Sequence, residues 1–218
     1  MIRTQMEQIA VTNAMLPELP PGSFARIDED PDSRFYVPVR LVTHIDENAI
    51  AALTEFYGSV LPRNGVVLDL MSSWVSHLPP DLPVAEAIGV GMNTEELAAN
   101  PRLTQWFLQD LNLDTRLPLA EACCDAAMCC VSVQYLQKPV EIFSEIRRVL
   151  RPGAKFIVSF SNRCFPTKAV AIWRSLDISG HAALVRLYFA RAGFSSIALH
   201  VLADGIHGDP LIAVSGCA

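Results

Sequence analysis

Pro139–Phe160 reads PVEIFSEIRRVLRPGAKFIVSF, and its two halves follow different periods. Pro139 suits the first position of a helix, where a missing N–H costs nothing. Val140, Phe143, Ile146, Val149 and Leu150 then give that helix one apolar stripe, and Pro152-Gly153 ends it. Lys155–Phe160 follows as a short apolar run, the pattern of a buried strand. A helix feeding into a buried strand is part of a parallel α/β unit. The same alternation extends in both directions.

Upstream, Val66–Leu70, Ala87–Gly91, Trp106–Leu108 and Ala126–Val131 read as four more strands. Glu95–Ala99 reads as a short helix that ends before Pro101. Downstream, Pro166–Leu176 and His181–Ala192 read as helices, with Gly193 stopping the second, and Ile197–Leu202 and Leu211–Ser215 complete the strands. From His44 the spacing of Ile45, Ala49, Leu53, Phe56 and Val60 predicts a further helix, stopped by Pro62. Pro17, Pro20, Pro21, Pro31 and Pro38 exclude a long helix before it, and Asp28–Asp32 reads as a solvated turn. The expected architecture is one α/β domain: a three-layer αβα sandwich with a Rossmann-like, mainly parallel seven-strand sheet. Residues 1–60 supply an N-terminal segment and cap helix, packed at or over the strand ends, and residues 61–218 supply the sheet domain.

Composition narrows the function. The chain has 218 residues, with 17 Lys+Arg against 23 Asp+Glu, a formal charge of −6, 51% hydrophobic and 18% charged residues. That is a folded domain, and the acidic balance argues against nucleic acid as its partner. No apolar stretch is long enough to span a bilayer, and the start at Met1-Ile2-Arg3-Thr4-Gln5 lacks the apolar core of a secretory signal. Cys123, Cys124, Cys129 and Cys130 crowd into an apolar segment, and Cys164 and Cys217 stand apart. This suits reduced thiols in a cytoplasmic protein better than a disulfide framework. Soft-metal ligation is the sharper reading of the cysteine pairs. Adjacent side chains on a strand point to opposite faces, so buried structural cysteine is favoured and no metal is expected.

In open parallel sheets ligands bind beyond the carboxyl ends of the strands. There the sequence acquires a resemblance. Gln109-Asp110-Leu111 resembles an acidic turn after a third strand. Leu117-Pro118-Leu119 with Cys124-Asp125-Ala126 resembles an "LPF…FDAV" passage. Val133-Gln134-Tyr135-Leu136 resembles the segment after a fourth strand, and Glu145–Gly153 is close to E-i-x-R-v-L-k-P-G-G. In this order and spacing they resemble the class I S-adenosylmethionine-dependent methyltransferases of the type 11 branch, from about Gly65 to the C-terminus. The resemblance implies that the last strand, near Leu211–Ser215, enters antiparallel. It also implies S-adenosylmethionine as cofactor and methyl transfer to a small-molecule acceptor.

The first half departs from that family. Its glycine loop, Gly-x-Gly-x-Gly after an acidic residue, falls here on Asp69-Leu70-Met71-Ser72-Ser73-Trp74-Val75. The three glycines become Met71, Ser73 and Val75. Met71 and Val75 are poorly suited to positive φ. The family's ribose-binding acidic residue at the end of the second strand becomes Gly91, with Asn93 as a substitute donor or acceptor. The resemblance places the cofactor along Asp69, Leu70, Met71, Ser72, Ser73, Met92, Asn93, Asp110, Leu111 and Cys130. Asp69 would order the loop amides and the amino-acid end. Asp110 would accept from the adenine amino group, the Leu111 N–H would donate to the ring, and Met92 would cover one face.

Methyl transfer from a sulfonium is an in-line displacement whose leaving group departs neutral, so no general acid is needed. No triad or ligand-spaced histidine cluster competes with that reading. Tyr135, Asn162 and Arg163 are expected to line the acceptor pocket, with Arg163 favouring an anionic acceptor. Tyr36, Arg40 and His44 would close it, and His44 is the candidate base. Bland readings stand beside these: His44 and His77 as cap or surface residues, Trp74 as a lid on the core, and Ser161-Asn162-Arg163 as a turn. Two other functions fit the damaged loop, a non-catalytic binding or assembly protein and an enzyme taking another nucleotide-like ligand.

Overall fold

The structure is a computed structural model that describes residues 16–218, so the reading of the extreme N-terminus lies outside the described residues. Its elements run α1 (Asp32–Phe35), α2 (Glu47–Val60), β1 (Val66–Leu70), β2 (Glu86–Gly91), α3 (Thr94–Ala99), β3 (Gln105–Leu108), β4 (Cys124–Cys130), α4 (Pro139–Val149), β5 (Leu150–Phe160), α5 (Ala171–Arg174), α6 (Ile178–Arg191), β6 (Ser195–Ala203) and β7 (Leu211–Cys217). A single 3-10 turn, Val133–Tyr135, separates β4 from α4.

The strands form one seven-stranded sheet in the order β3-β2-β1-β4-β5-β7-β6. β1 to β5 pair in parallel, and β7 enters antiparallel between β5 and β6, as expected. The expected three-layer architecture is therefore present. Strand side chains alternate between faces, and this sorts the core into two layers. Leu68, Leu70, Phe156, Val158 and Val214 face α4 and α6, where Phe143, Val185 and Phe189 meet them. Val67, Ala126, Met128, Ile157 and Ala213 face α2, through Ala49, Leu53 and Tyr57. The cap helix starts at Glu47 rather than His44 because Asp46 caps it, accepting from the Ala49 N–H at 2.9 Å.

The Glu145–Gly153 motif is a structural clamp. Glu145 Oε1 accepts from the Leu117 N–H at 2.8 Å, Oε2 accepts from Arg148 Nε at 2.8 Å, and Arg148 Nη2 donates to the Leu119 carbonyl at 2.8 Å. The motif thus pins the loop before β4 onto α4, and Asp125 ties β4 to β1 by accepting from the Val66 N–H.

Two sequence readings fail in one place. Asp28–Asp32 is not a solvated turn, because Asp32 is buried. Arg26 Nη1 donates to both its carboxylate oxygens at 2.8 Å, and Lys168 Nζ lies 3.2 Å from Asp32 Oδ1 and from Asp28 Oδ2. The Lys168 ammonium also donates to the Asp30 carbonyl at 2.7 Å, and its side chain is 1% exposed. Pro166–Leu176 is not one helix but a turn followed by the four-residue α5. Its amides serve the N-terminal segment instead: Ala171 N donates to Ala25 O, and Ile172 N to Ser23 O. Residues 23–45 are thereby strapped across the carboxyl ends of the sheet.

Lys168→Met should lower the unfolding free energy by about 3–5 kcal/mol, the cost of breaking a buried ion pair. Urea denaturation measures it, and proteolysis should then cut first within residues 26–36.

Candidate functional site

The first loop of the sheet decides the shape of the site. Met71, the first residue after β1, has a φ of 55°. This is the left-handed conformation a glycine would adopt freely, held here by a methionine. Neither Ser73 nor Val75 has positive φ, so of the two residues expected to be poorly suited, Met71 and Val75, only Met71 takes the left-handed conformation. The turn sends the chain towards β2, where the Ser72 N–H donates to the Val90 carbonyl at 2.7 Å. A Cβ on Gly91 would strike the Ser72 carbonyl oxygen. Gly91 is therefore required by this loop, and no acidic side chain fits at the end of β2.

Asp69 lies beneath the loop, buried. Ser72 Oγ and Ser76 Oγ each donate to its Oδ2 at 2.6 Å. Burial outweighs these two bonds and pushes its pKa up to about 6. Asn93 is spent at both ends. Its oxygen caps α3 through the Glu95 and Glu96 N–H groups, and its amide donates to the Tyr36 and Val37 carbonyls. Glu96, three residues on, is buried: Oε1 accepts from the Arg40 N–H at 2.8 Å and Oε2 from Ser73 Oγ at 2.7 Å. Trp74 Nε1 donates to the Val42 carbonyl, which pins the strap to the loop from the other side.

These groups surround an inner chamber at the ends of β1 to β4. Of the residues the sequence singled out, Tyr36, Arg40, His44, Asp69, Met71, Ser72, Ser73, Met92, Asn93, Asp110, Leu111, Cys130 and Tyr135 all line it. Leu70 does not; its side chain is in the core. Asn162 and Arg163 line a second, outer chamber of about 510 Å³. His44, Val131, Tyr135 and Phe165 border both chambers. The inner one is narrow, about 140 Å³, because the strap and the loop close on it. The His77 and Trp74 side chains also face it.

The wall between the chambers is aromatic. Phe165 stacks on Tyr135 with centroids 6.0 Å apart and meets His44 edge-on at 5.3 Å. The Arg40 guanidinium lies 4.7 Å from the Phe35 ring centroid and 5.6 Å from that of Phe165. Burial lowers the pKa of His44 and keeps it neutral near pH 7, while Glu96 pulls the other way. Burial raises Tyr135 and Cys130 to about 12, so both stay protonated. In the outer chamber Arg163 Nε lies 3.9 Å from Asp209 Oδ1, a loose and exposed pair.

The electrostatics of the inner chamber are one-sided. Asp32 is neutralised by Arg26 and Lys168. Among the described residues Asp69, Glu96 and Asp110 have no lysine or arginine within ion-pair distance. Burial, then the Asp32 charge, raises the pKa of Asp110. Sequence reasoning missed Asp32, Glu96, Asn112 and Phe165. Glu96 had a signal: Asn93-Thr94-Glu95-Glu96 has capping-box spacing, and its glutamate turns away from the cap to hold the strap. Among the described residues no cluster of three or more His, Cys, Asp and Glu is arranged to hold a metal, and all six cysteines are free thiols. No helix of the described residues is long and apolar enough to cross a membrane.

Residues 74–158 match the family described as Methyltransferase domain. That match includes the passages between residues 109 and 153 that carry the resemblance, and it leaves out Met71 and Ser73 of the altered loop. Solved structures agree on the fold. A chain from the Haloferax volcanii complex of the Trm112 methyltransferase activator with a putative methyltransferase superposes with a TM-score of 0.60 at 15% identity, over 79% of this chain and 90% of that one. An S-adenosylmethionine-dependent methyltransferase from Mesorhizobium loti gives 0.54 at 15% identity, over 77% and 98%. The [4+2]-cyclase SpnF gives 0.56 at 15% identity, over 83% and 87%. No curated protein matches the chain in sequence.

Asp69 supplies a pH test. Its folded pKa of about 6 exceeds the ordinary 3.8, so the native state holds that proton more tightly than the unfolded chain does. Its contribution to stability is full below pH 3.8 and is lost as pH rises through 6. Asp69→Asn keeps an acceptor for the two serines and removes the charge. It should gain on the order of 2–3 kcal/mol over wild type between pH 4 and pH 7.5, read by urea denaturation at both values.

Proposed function

We propose that this chain transfers a methyl group from S-adenosylmethionine to a small-molecule acceptor. The observation that supports it most is the inner chamber: three carboxylates without a lysine or arginine partner, apolar walls, and a place beyond the carboxyl ends of β1 to β4. S-adenosylmethionine carries a methyl group on a positively charged sulfur, an ammonium and a carboxylate, and this donor set suits that charge pattern. The methyltransferase-domain match over residues 74–158 and the shared fold point the same way.

In this reading Asp110 and the Leu111 N–H hold the adenine edge while Met92 covers a ring face. Asp69, Ser72 and Ser73 face the amino-acid end, with Cys130 beside them. Asn93, with both ends engaged, steadies the strap. Residues 36–42 must swing outward to admit a nucleoside. Their ties are a few hydrogen bonds to the Glu96 carboxylate, the Asn93 amide and the Trp74 indole, with no ion pair among the described residues, unlike the ion cluster that anchors residues 26–32. The outer chamber takes the acceptor, with Asn162 and Arg163 orienting its polar groups. Tyr135 and Phe165 exclude water along the shared wall. His44, neutral and on that wall, accepts a proton where the acceptor must lose one.

The test pairs calorimetry with a methyl-transfer assay over a metabolite panel. S-adenosylmethionine should bind more tightly as pH rises through 6, where Asp69 ionises, and Asn162→Ala and Arg163→Ala should each raise the acceptor KM about tenfold. Absence of both cofactor binding and turnover would contradict the proposal. It would favour the non-catalytic binding or assembly protein, which the filled space over Gly91 also suits.

A further inference from the structure

We infer that Glu96 is the residue that holds the ribose diol of an adenosine-containing ligand in this chain, an inference that rests on the proposed function. Two adjacent hydroxyls are best met by one carboxylate, which offers an oxygen to each and acceptor capacity to spare. The inner chamber has four carboxylates from which to choose. Asp32 is filled by Arg26, Lys168 and the Asn112 amide. Asp69 lies under the loop and is held by two serines. Asp110 stands at the end of β3. Only Glu96 belongs to the segment that follows β2, and it lines the chamber with Gly91, Met92 and Asn93.

The local geometry excludes the alternatives at that strand end. A side chain on Gly91 would collide with the Ser72 carbonyl, and the Asn93 amide is engaged on both sides. The two oxygens of Glu96 each hold one uncharged partner, the Arg40 N–H and the Ser73 hydroxyl, which a ligand hydroxyl can replace in kind. Both partners belong to parts that frame the chamber mouth. As residues 36–42 move outward, Oε1 loses its strap partner and takes one hydroxyl, while Oε2 takes the other beside Ser73. A carboxylate moved from the strand end to the first turn of α3 thus serves a loop that has closed over the strand. It also makes strap opening and ribose binding draw on the same oxygen.

The experiment is a calorimetric double cycle with S-adenosylhomocysteine and its 2′,3′-dideoxy analogue, on wild type and Glu96→Gln. The substitution keeps the side chain's shape and one acceptor. Glu96→Gln should weaken S-adenosylhomocysteine by about 10- to 100-fold, as loss of charge-assisted hydrogen bonds does. Removing the hydroxyls from the ligand should weaken wild-type binding by a similar factor, and the two changes together should cost no more than either alone. If wild type binds and the two losses multiply, or Glu96→Gln changes nothing, the assignment of Glu96 is overturned and the proposed function stands. If wild type does not bind S-adenosylhomocysteine, both are overturned.

Discussion

A single buried ammonium decides where residues 26–32 lie. Lys168 Nζ reaches the carboxylates of Asp28 and Asp32 and the carbonyls of Asp28 and Asp30, with almost none of its side chain in water. Burying such a charge is tolerable only when it is fully paired, and the Arg26 fork on Asp32 completes the pairing. That ion cluster fixes residues 26–32 beside the sheet. Tyr36, Arg40 and His44 then fall over the strand ends, and without them the inner chamber would be an open groove. The site is built jointly by a parallel sheet and a strap that a buried charge holds in place.

The second constraint is the turn after β1. A glycine loop leaves room over the strand ends because its backbone bends at no steric cost. Here Met71 takes the left-handed turn and Ser72 settles on the end of β2. The loop is tighter, Gly91 must be bare, and polar recognition shifts to residues further along: Asn93 to the strap, Glu96 to the strap and Ser73. The three changes belong together, since restoring a side chain at 91 would require lifting the loop. They are a coherent rearrangement of one corner of the fold, not scattered losses. Asp69 lies buried in that corner, and burial is why it holds its proton to about pH 6.

Much of this was legible in the sequence, for reasons that can be located. The strands and α4 are written in local periodicity, and the strand-end rule points to Asp69, Met92, Asp110 and Tyr135 from the sequence alone. What could not be read depends on partners distant in sequence. Lys168 looks like a helical residue until Asp28 and Asp32 face it across about 140 positions. The amides of 171 and 172 leave the helix pattern because Ala25 and Ser23 offer carbonyls. Glu96 looks like an ordinary capping glutamate until the Arg40 N–H arrives from 56 residues away. Asn162 and Arg163 follow β5 and line the outer chamber, a division the sequence does not show, since the aromatic wall of Tyr135 and Phe165 is a tertiary feature.

The central claim is that the strapped chamber at the ends of β1 to β4 is a nucleoside site that opens by moving residues 36–42. A crystal structure of the chain with S-adenosylhomocysteine tests it most directly. The account predicts the adenine between Met92 and Leu111 with its amino group at Asp110, residues 36–42 displaced outward, and the ion cluster of Arg26, Asp32 and Lys168 unchanged. Crystals grown at saturating ligand that show the chamber closed, with the Arg40 N–H still on Glu96, would contradict it.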